Sequence, residues 1–294
     1  MVINNYKGGQ LANRILSFAH LLANSIGHTY KLYNPEFDEY NAYFEGSSKN
    51  YFNGHPVSVT LFNNHFFDRA FSRLFRLWAD ITHQLFTRTP FYILYRTFKS
   101  HDKKIKVFDL NDAVFVKDAQ TKTTITQGWL FRDYTNFNKY ENEIRQFFTP
   151  VEKYKLEVKK IMDEVRTQAD VVIGVHIRRG DYIRYADGQY FFDDAVYADK
   201  MMQIQNKIIA AGKRCIFLIC SNDNIDAANF SAELKLITGT RHFITDLYCL
   251  AACDAIVGPP STFSIWASFY GRVPLAQIKR KDDVIELGEY VNLC

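Results

Sequence analysis

Residues 171–182 read VVIGVHIRRGDY. The first seven are mostly β-branched, the composition of a strand buried on both faces of a parallel sheet. The run then ends in His176, Arg178, Arg179, Gly180 and Asp181, which a buried strand cannot accommodate along its length. They belong at its carboxyl end, where open α/β sheets hold their ligands.

Downstream the pattern alternates. The helix DDAVYADKMMQIQNKIIAAG precedes the strand RCIFLICS, a helix near 224–236, a short strand HFIT, the helix DLYCLAACD, the strand AIVG and the helix STFSIWASFYG. Strands alternating with helices specify a parallel sheet with helices on both faces. Three strand ends then share one rim: His176 to Asp181, then Ser221-Asn222-Asp223, then Pro259-Pro260-Ser261-Thr262. A guanidinium fork suits phosphate oxygens better than an ammonium point charge does. The hydroxyls of Ser261 and Thr262 open a helix whose free N–H groups favour an anion. A diphosphate is the expected guest. Two readings of the arginines stay open: both bind it, or one pairs with Asp181 or another carboxylate. His176 alone reads as a core histidine, and at this rim as a handle for a base or ribose.

Upstream, VINNYKGGQLANRILSFAHLLANSIGH runs from a short strand through Gly8-Gly9 into a helix with Leu11, Ile15, Phe18, Ala19 and Leu22 at helical spacing. Paired glycines let a backbone approach a ligand closely, and they equally make a tight turn with no ligand. KLYNPEFDEYNAYFEG reads as an aromatic loop, and VFDLNDAVFV and TTITQGW as short strands joined by a turn. Helical material around YENEIRQFF and VEKYKLEVKKIMDEV is interrupted at Pro150, which cannot donate a helical hydrogen bond. The boundary is placed there, giving domains over 1–150 and 151–294.

Residues 62–100 are aromatic and basic. Phe67, Phe71, Leu74, Phe75, Trp78, Ile81 and Leu85 fall on one side of a helical pattern, with Arg69, Arg73 and Arg76 at its flank. This suits contact with a membrane surface, or packing on the protein's own domain with a solvated arginine edge.

The 294 residues, 47% hydrophobic, suffice for a substantial core. A balance of 36 basic against 32 acidic residues, net +4, does not suggest a nucleic-acid binder. Cys215, Cys220, Cys249, Cys253 and Cys294 are odd in number and lack paired CxxC spacing, so neither a disulfide framework nor a zinc site is expected. The strand MVINNY at the start leaves no room for a signal peptide, so a cytoplasmic chain, either soluble or peripheral at the inner face of the membrane, is the expectation.

GVHIRRGDY resembles the HxRRGD motif of the α-1,2-fucosyltransferases of glycosyltransferase family 11, relatives of the α-1,6- and protein O-fucosyltransferases. GWLFRDYTNFNKYENEIRQFF is similar to that family's segment ahead of the motif, and TDLYCLAACDAIVGPPSTFSIWASFYG to its later block. With the Gly-Gly...Asn turn, the likeness touches four places in the same order. It implies an α/β fold of the GT-B class, two Rossmann-like domains with parallel sheets facing across a cleft. The first would take a glycan or glycolipid acceptor, the second the nucleotide sugar donor.

The resemblance further implies an inverting transfer of fucose from GDP-fucose to a glycan hydroxyl, with no metal or other cofactor. Arg178 would bind the β-phosphate and help GDP leave. His176 and Asp246 would address the guanine, Ser261 and Thr262 the phosphates, with Arg179, Ser221 and Asp223 beside them. Gly8, Gly9 and Asn13 would reach the donor from the first domain. Asp187 and Asp181 are the candidates for taking the acceptor's proton. Asp181 equally serves to lock the arginines, and Asp187 to make the turn before Gly188. A glycosyltransferase using another nucleotide sugar, or a non-catalytic nucleotide- or glycan-binding module, remain the alternatives.

Overall fold

The computed structural model describes residues 1–60, 67, 70, 74, 77, 95–99 and 107–288. The reading of 62–100 as a basic amphipathic helix, including Arg69, Arg73, Arg76 and most of its apolar stripe, lies outside the described residues. The chain divides into two compact units, one spanning Met1–Val151 and the other beginning at Glu152.

In the second unit the VVIGVHI stretch forms strand β9 (Val171–Ile177), paired in parallel along its whole length with β10 (Cys215–Ser221). The five strands run β11 (Leu236–Thr238), β10, β9, β12 (Ala255–Gly258), β13 (Leu275–Gln277), all parallel. Order therefore reverses between β9 and β12. Ile173, Val175, Ile177, Phe217 and Ile219 pack with Tyr197, Met201 and Ile204 of helix α6 (Asp194–Ala210) into one core. Gly174 lets helix α7 (Phe243–Ala251) press on β9, because a Cβ there would lie 2.6 Å from Leu250 Cδ2.

Two expectations fail beside this sheet. No helix forms near 224–236, where Asp226 accepts from Ala228 N–H (3.0 Å) and Ser231 from Glu233 N–H (3.3 Å), leaving a 3-10 turn at Ala227–Asn229. Such side chains compete with helical hydrogen bonds. HFIT is not a strand but the start of α7. The strand next to β10 is Leu236–Thr238, and Asp246 closes the intervening turn by accepting from Thr240 and Arg241 N–H.

The first unit carries six strands in the order β3 (Tyr51–Phe52), β4 (His55–Ser58), β2 (Leu32–Tyr33), β1 (Val2–Asn4), β7 (Thr123–Gln127), β5 (Tyr95–Lys99). All neighbours are parallel except the β3–β4 hairpin. The sheet order reverses between β1 and β7. A separate parallel pair joins β6 (Phe108–Asp109) to β8 (Phe131–Arg132). VFDLNDAVFV is thus only briefly a strand. Asp112 accepts from the N–H groups of Val114 and Phe115 (3.0 and 2.9 Å) and starts helix α2 (Ala113–Thr121).

Helix α1 (Leu11–His28) buries its apolar stripe as its spacing predicts, with Ile15, Phe18, Ala19 and Leu22 inaccessible. Phe18 meets Phe37 and Phe147 edge-on at centroid distances of 5.2 and 5.1 Å. Below α1, Asp133 caps α3 (Tyr134–Lys139) and accepts from Asn24 Nδ2 (2.7 Å), Asn111 Nδ2 (2.8 Å), and Asn136 N and Nδ2 (2.8 and 2.7 Å). Helix α4 (Glu141–Phe147) leads to Pro150, and α5 (Glu152–Arg166) opens the second unit. Among the described residues no helix is long and apolar enough to cross a membrane.

Candidate active site

At the carboxyl end of β9 the chain turns sharply, with Gly180 at φ +60°, a conformation that favours glycine. Asn222, just past β10, accepts from Arg179 N–H (2.9 Å) and pins this turn to the next strand. On the other side Tyr182 donates its hydroxyl proton to the Pro260 carbonyl (2.7 Å). Pro260 leads into Ser261, the cap of helix α8 (Thr262–Gly271), whose hydroxyl accepts from Phe263 N–H at 3.3 Å. Gly258 matters here because a Cβ would lie 2.6 Å from the His176 carbonyl oxygen. The loops after β9 and β12 are thereby joined at the point where strand order reverses, the usual ligand crevice of such sheets.

The two arginines have different surroundings. Arg179 is held by Asp194 and the Phe192 carbonyl, and its guanidinium lies over the rings of Phe191 and Tyr197 at 5.3 and 5.8 Å. Asp194 is fixed in turn by Asn229 Nδ2 (2.8 Å). Arg178 sits over Tyr182 (5.5 Å) and pairs with Asp181 at 2.9 Å. Asp181 is more than half exposed, so water screens this pair and an incoming anion competes with it readily. Arg178 pairs with a water-screened carboxylate, and Arg179 is anchored within the fold by Asp194 and the Phe192 carbonyl.

His176 is 4% exposed, its ring 5.1 Å from that of Phe263, and its Nδ1 has no hydrogen-bond partner in the protein. Burial, reinforced by Arg178, lowers its pKa to about 3, so it is a neutral imidazole at physiological pH. Asp246, also buried, takes the N–H and hydroxyl of Thr240 (2.8 and 2.9 Å) and Arg241 N–H (3.1 Å). Burial pushes its pKa up against those donors. Cys220 Sγ donates to the Asp246 carbonyl, and Cys220 pairs with His176 across the ladder, so His176 and Asp246 belong to one region of the rim. Ser221 accepts from Asp223 N–H (3.2 Å), and Asp223 from Asn224 N–H (2.8 Å), shaping the loop after β10. Asp187 follows Ala186 into left-handed backbone, φ +56° and +50°, and is exposed.

Gly8, Gly9 and Asn13 lie in the other unit. A Cβ on Gly8 would sit 2.1 Å from the Tyr6 ring, and one on Gly9 (φ +66°) 2.1 Å from Asn13 Nδ2. The close approach these glycines permit is to the protein's own side chains. Arg14 ties this turn to the loop after β2, donating to the carbonyls of Gly9 and Glu36 (3.2 Å each) and to Glu39 (2.6 Å). Sequence reasoning placed Asn222 at the rim without a role and gave none to Arg14 or Tyr182. All three stood inside quoted stretches, and only their partners reveal their work. Among the described residues no group of three His, Cys, Asp or Glu side chains is placed to hold a metal ion. Cys215, Cys220, Cys249 and Cys253 are buried free thiols.

The model of Glycosyl transferase family 11 matches residues 130–283. The chain belongs to that family. The match covers the whole rim of the second unit, from the segment ahead of β9 to beyond α8, so this family 11 protein is a glycosyltransferase. No curated protein matches by sequence. Among solved structures, an arginine-to-lysine variant of Arabidopsis thaliana FUT1 in complex with GDP superposes with a TM-score of 0.62 at 14% identity, covering 95% of this chain and 70% of that one. The fucosyltransferase NodZ from Bradyrhizobium gives 0.58 at 14% identity, covering 94% of each chain. POFUT1 in complex with GDP-fucose gives 0.55 at 12%, covering 92% and 93%. At such identity the likeness establishes the fold, an α/β architecture of the GT-B class with two Rossmann-like units.

Proposed function

We propose that this family 11 protein transfers fucose from GDP-fucose to a hydroxyl of a glycan, with inversion at the anomeric carbon and formation of an α-1,2 linkage. The donor follows from the family and from the GDP or GDP-fucose named with the similar folds. The linkage follows from the motif resemblance, since NodZ is an α-1,6-fucosyltransferase. The observation that carries the reading is the convergence of Arg178 and the Ser261-capped helix α8 at the reversal point of the second sheet.

As the sugar–phosphate bond breaks, negative charge grows on the departing diphosphate. Arg178 leaves Asp181 for that charge and, with the N–H groups opening α8, stabilises it more in the transition state than in the ground state. Arg179, already neutralised by Asp194, holds the loop in place. The Nδ1 of neutral His176 addresses the nucleotide, and Asp246 keeps the neighbouring turn closed. Asp187, exposed on the loop after β9, is the carboxylate proposed to take the acceptor's proton.

Thermal unfolding in the presence of GDP, UDP, ADP and CMP tests the donor. A ligand that binds only the native state raises the midpoint, and GDP alone is expected to do so. A selective response to another nucleotide rejects fucose as the donor sugar. Asp187→Asn is expected to lower kcat and leave the GDP midpoint shift intact.

A further inference from the structure

The loop that follows β9 carries a row of aromatic rings that the donor site leaves unused. It starts at Arg178, whose guanidinium lies 5.5 Å from the Tyr182 centroid. Tyr182 stacks on Tyr185 at 5.1 Å and 28°, and Tyr185 meets Tyr190 at 6.3 Å and 33°. The inner end is fixed, since Tyr182 is buried and donates its hydroxyl proton to the Pro260 carbonyl (2.7 Å). The outer end is open. Tyr185 is 54% exposed, and Ile183 and Phe191 of the same loop are exposed too. Apolar residues scattered singly over a surface are ordinary, but here they gather on one loop.

The backbone between the tyrosines is strained. Ala186, Asp187 and Gly188 take consecutive left-handed φ values of +50°, +56° and +76°, unfavourable for the two residues that carry a Cβ. Gln189 N–H donates to the Ala186 carbonyl (3.2 Å) and Phe191 N–H to the Gly188 carbonyl (2.9 Å), closing a reversal that brings Tyr190 back to Tyr185. Phe192 then enters the core with Tyr197 and Met201 of α6, so the loop is held at both ends. Strain maintained by such fixed surroundings is characteristic of functional segments.

Position decides what these rings meet. His176 lies beside Phe263 of α8, and Asp246 belongs to α7, both on the face of the sheet away from α6. The loop returns to the α6 side through Phe192, so a base addressed by His176 and Asp246 lies away from Tyr190. In a glycosyl transfer one sugar ring separates the leaving phosphate from the acceptor. In this row one buried ring, Tyr182, separates Arg178 from the exposed pair.

We infer that Tyr185 and Tyr190 form the platform for the acceptor's reacting sugar, a neutral pyranose laying its C–H face against them, so that the unit carrying Arg178 also selects the acceptor. Sugar C–H groups suit the negative face of an aromatic ring, and sugar hydroxyls match the tyrosine hydroxyls as both donors and acceptors. Asp187 stands on the same loop between the two tyrosines. Calling this sugar the acceptor rests on the fucosyl-transfer reading; the stacking itself does not.

Saturation-transfer NMR on the full chain in the presence of GDP tests it, with neutral oligosaccharides ending in galactose, glucose, mannose or N-acetylglucosamine as probes. One terminal ring is expected to be saturated. Tyr185→Ala and Tyr190→Ala should each weaken that binding about tenfold, whereas Tyr185→Phe, which keeps the ring, should stay within about twofold of the wild type. Tyr185→Ala should also hold the thermal midpoint, because the side chain is exposed; a purely structural tyrosine would lower it and weaken sugar and GDP alike. The GDP-induced midpoint shift on the same samples separates the two readings. Sugar contact that depends on Tyr185 in a chain giving no GDP shift supports the platform and rejects fucosyl transfer. Undiminished sugar binding in Tyr185→Ala, a larger loss of GDP than of sugar, or no saturated ring with the wild-type chain would each overturn the platform.

Discussion

In the first unit the strands are two to five residues long and phenylalanine rings fill the core, whereas β9 and β10 of the second pair over seven residues and pack aliphatic side chains. Short strands make few ladder hydrogen bonds, so the first unit depends on aromatic volume around Phe18 and on the buried asparagine–aspartate network around Asp133. The long ladder of the second unit leaves its rim free to carry charge. The two rims differ accordingly. One presents Arg178, paired with an exposed aspartate, beside a helix N-terminus, the other amides, a carboxylate and a hydroxyl. Each unit repeats the same sheet reversal, and the side chains at the two rims differ in charge.

The largest effect is expected in the aromatic core. Phe18→Ala removes a fully buried ring in edge contact with Phe37, Phe147 and Phe148 and should cost about 3–5 kcal/mol in chemical denaturation. A loss under about 1.5 kcal/mol, the scale of Ile→Val in an aliphatic core, would remove the contrast drawn between the units.

Arg178→Lys should fold normally and lose about 10²–10³-fold in kcat, some 3–4 kcal/mol of transition-state stabilisation, because an ammonium does not reproduce the guanidinium fork. Donor consumption measured at saturating substrate checks this. Turnover near that of the wild type would detach the second rim from phosphate chemistry.

Asp133→Asn should cost about 2–3 kcal/mol, since it breaks charge-assisted hydrogen bonds in a buried network. Burial by itself pushes the Asp133 pKa up, but the donors from Asn136, Asn24 and Asn111 together bring it below the ordinary aspartate value. A depressed folded pKa contributes stability that is present above about pH 4 and lost as pH falls through the folded value. Thermal unfolding followed into acid should therefore show a weaker pH dependence in Asp133→Asn than in the wild type.

The smallest effect is shared by both units. His20 of the first and His176 of the second have pKa values of about 3, lowered first by burial and then by Arg132 and Arg178 respectively. Below about pH 6.5 the unfolded chain takes up protons that the native state refuses, so stability falls as pH drops toward those values. His20→Gln and His176→Gln should each flatten the midpoint-against-pH curve between pH 6.5 and 5. An unchanged slope in either variant would mean that its histidine is protonated in the native protein.

Much of this was legible from residue order. The β-branched run before His176 and the stripe of α1 appear as read, and the alternation after residue 190 holds except at the helix near 224–236 and the strand HFIT. The misreadings share one cause. Asp112, Asp226 and Asp246 each direct a carboxylate to nearby backbone N–H groups, turning an apparent strand into a helix start, an apparent helix into a single turn, and HFIT into the first turn of α7. Hydrophobic pattern does not register such capping. The segment around Asp133, quoted for its likeness to the family, is a structural hub in the fold.

Periodicity and turn chemistry are local, so the chain's order of residues alone settled the α/β class, the rim bearing HIRRGD and the family resemblance. Which arginine is anchored, and where a buried hydroxyl is left without a protein partner, depended on residues distant along the chain. Arg179 finds Asp194 and Phe192, Tyr182 finds Pro260, and Ser17 faces a crevice shared with Glu36 and Trp129. Pairing and burial of that kind exist only once separate strands and helices have packed, and they give two similar sheets different rims.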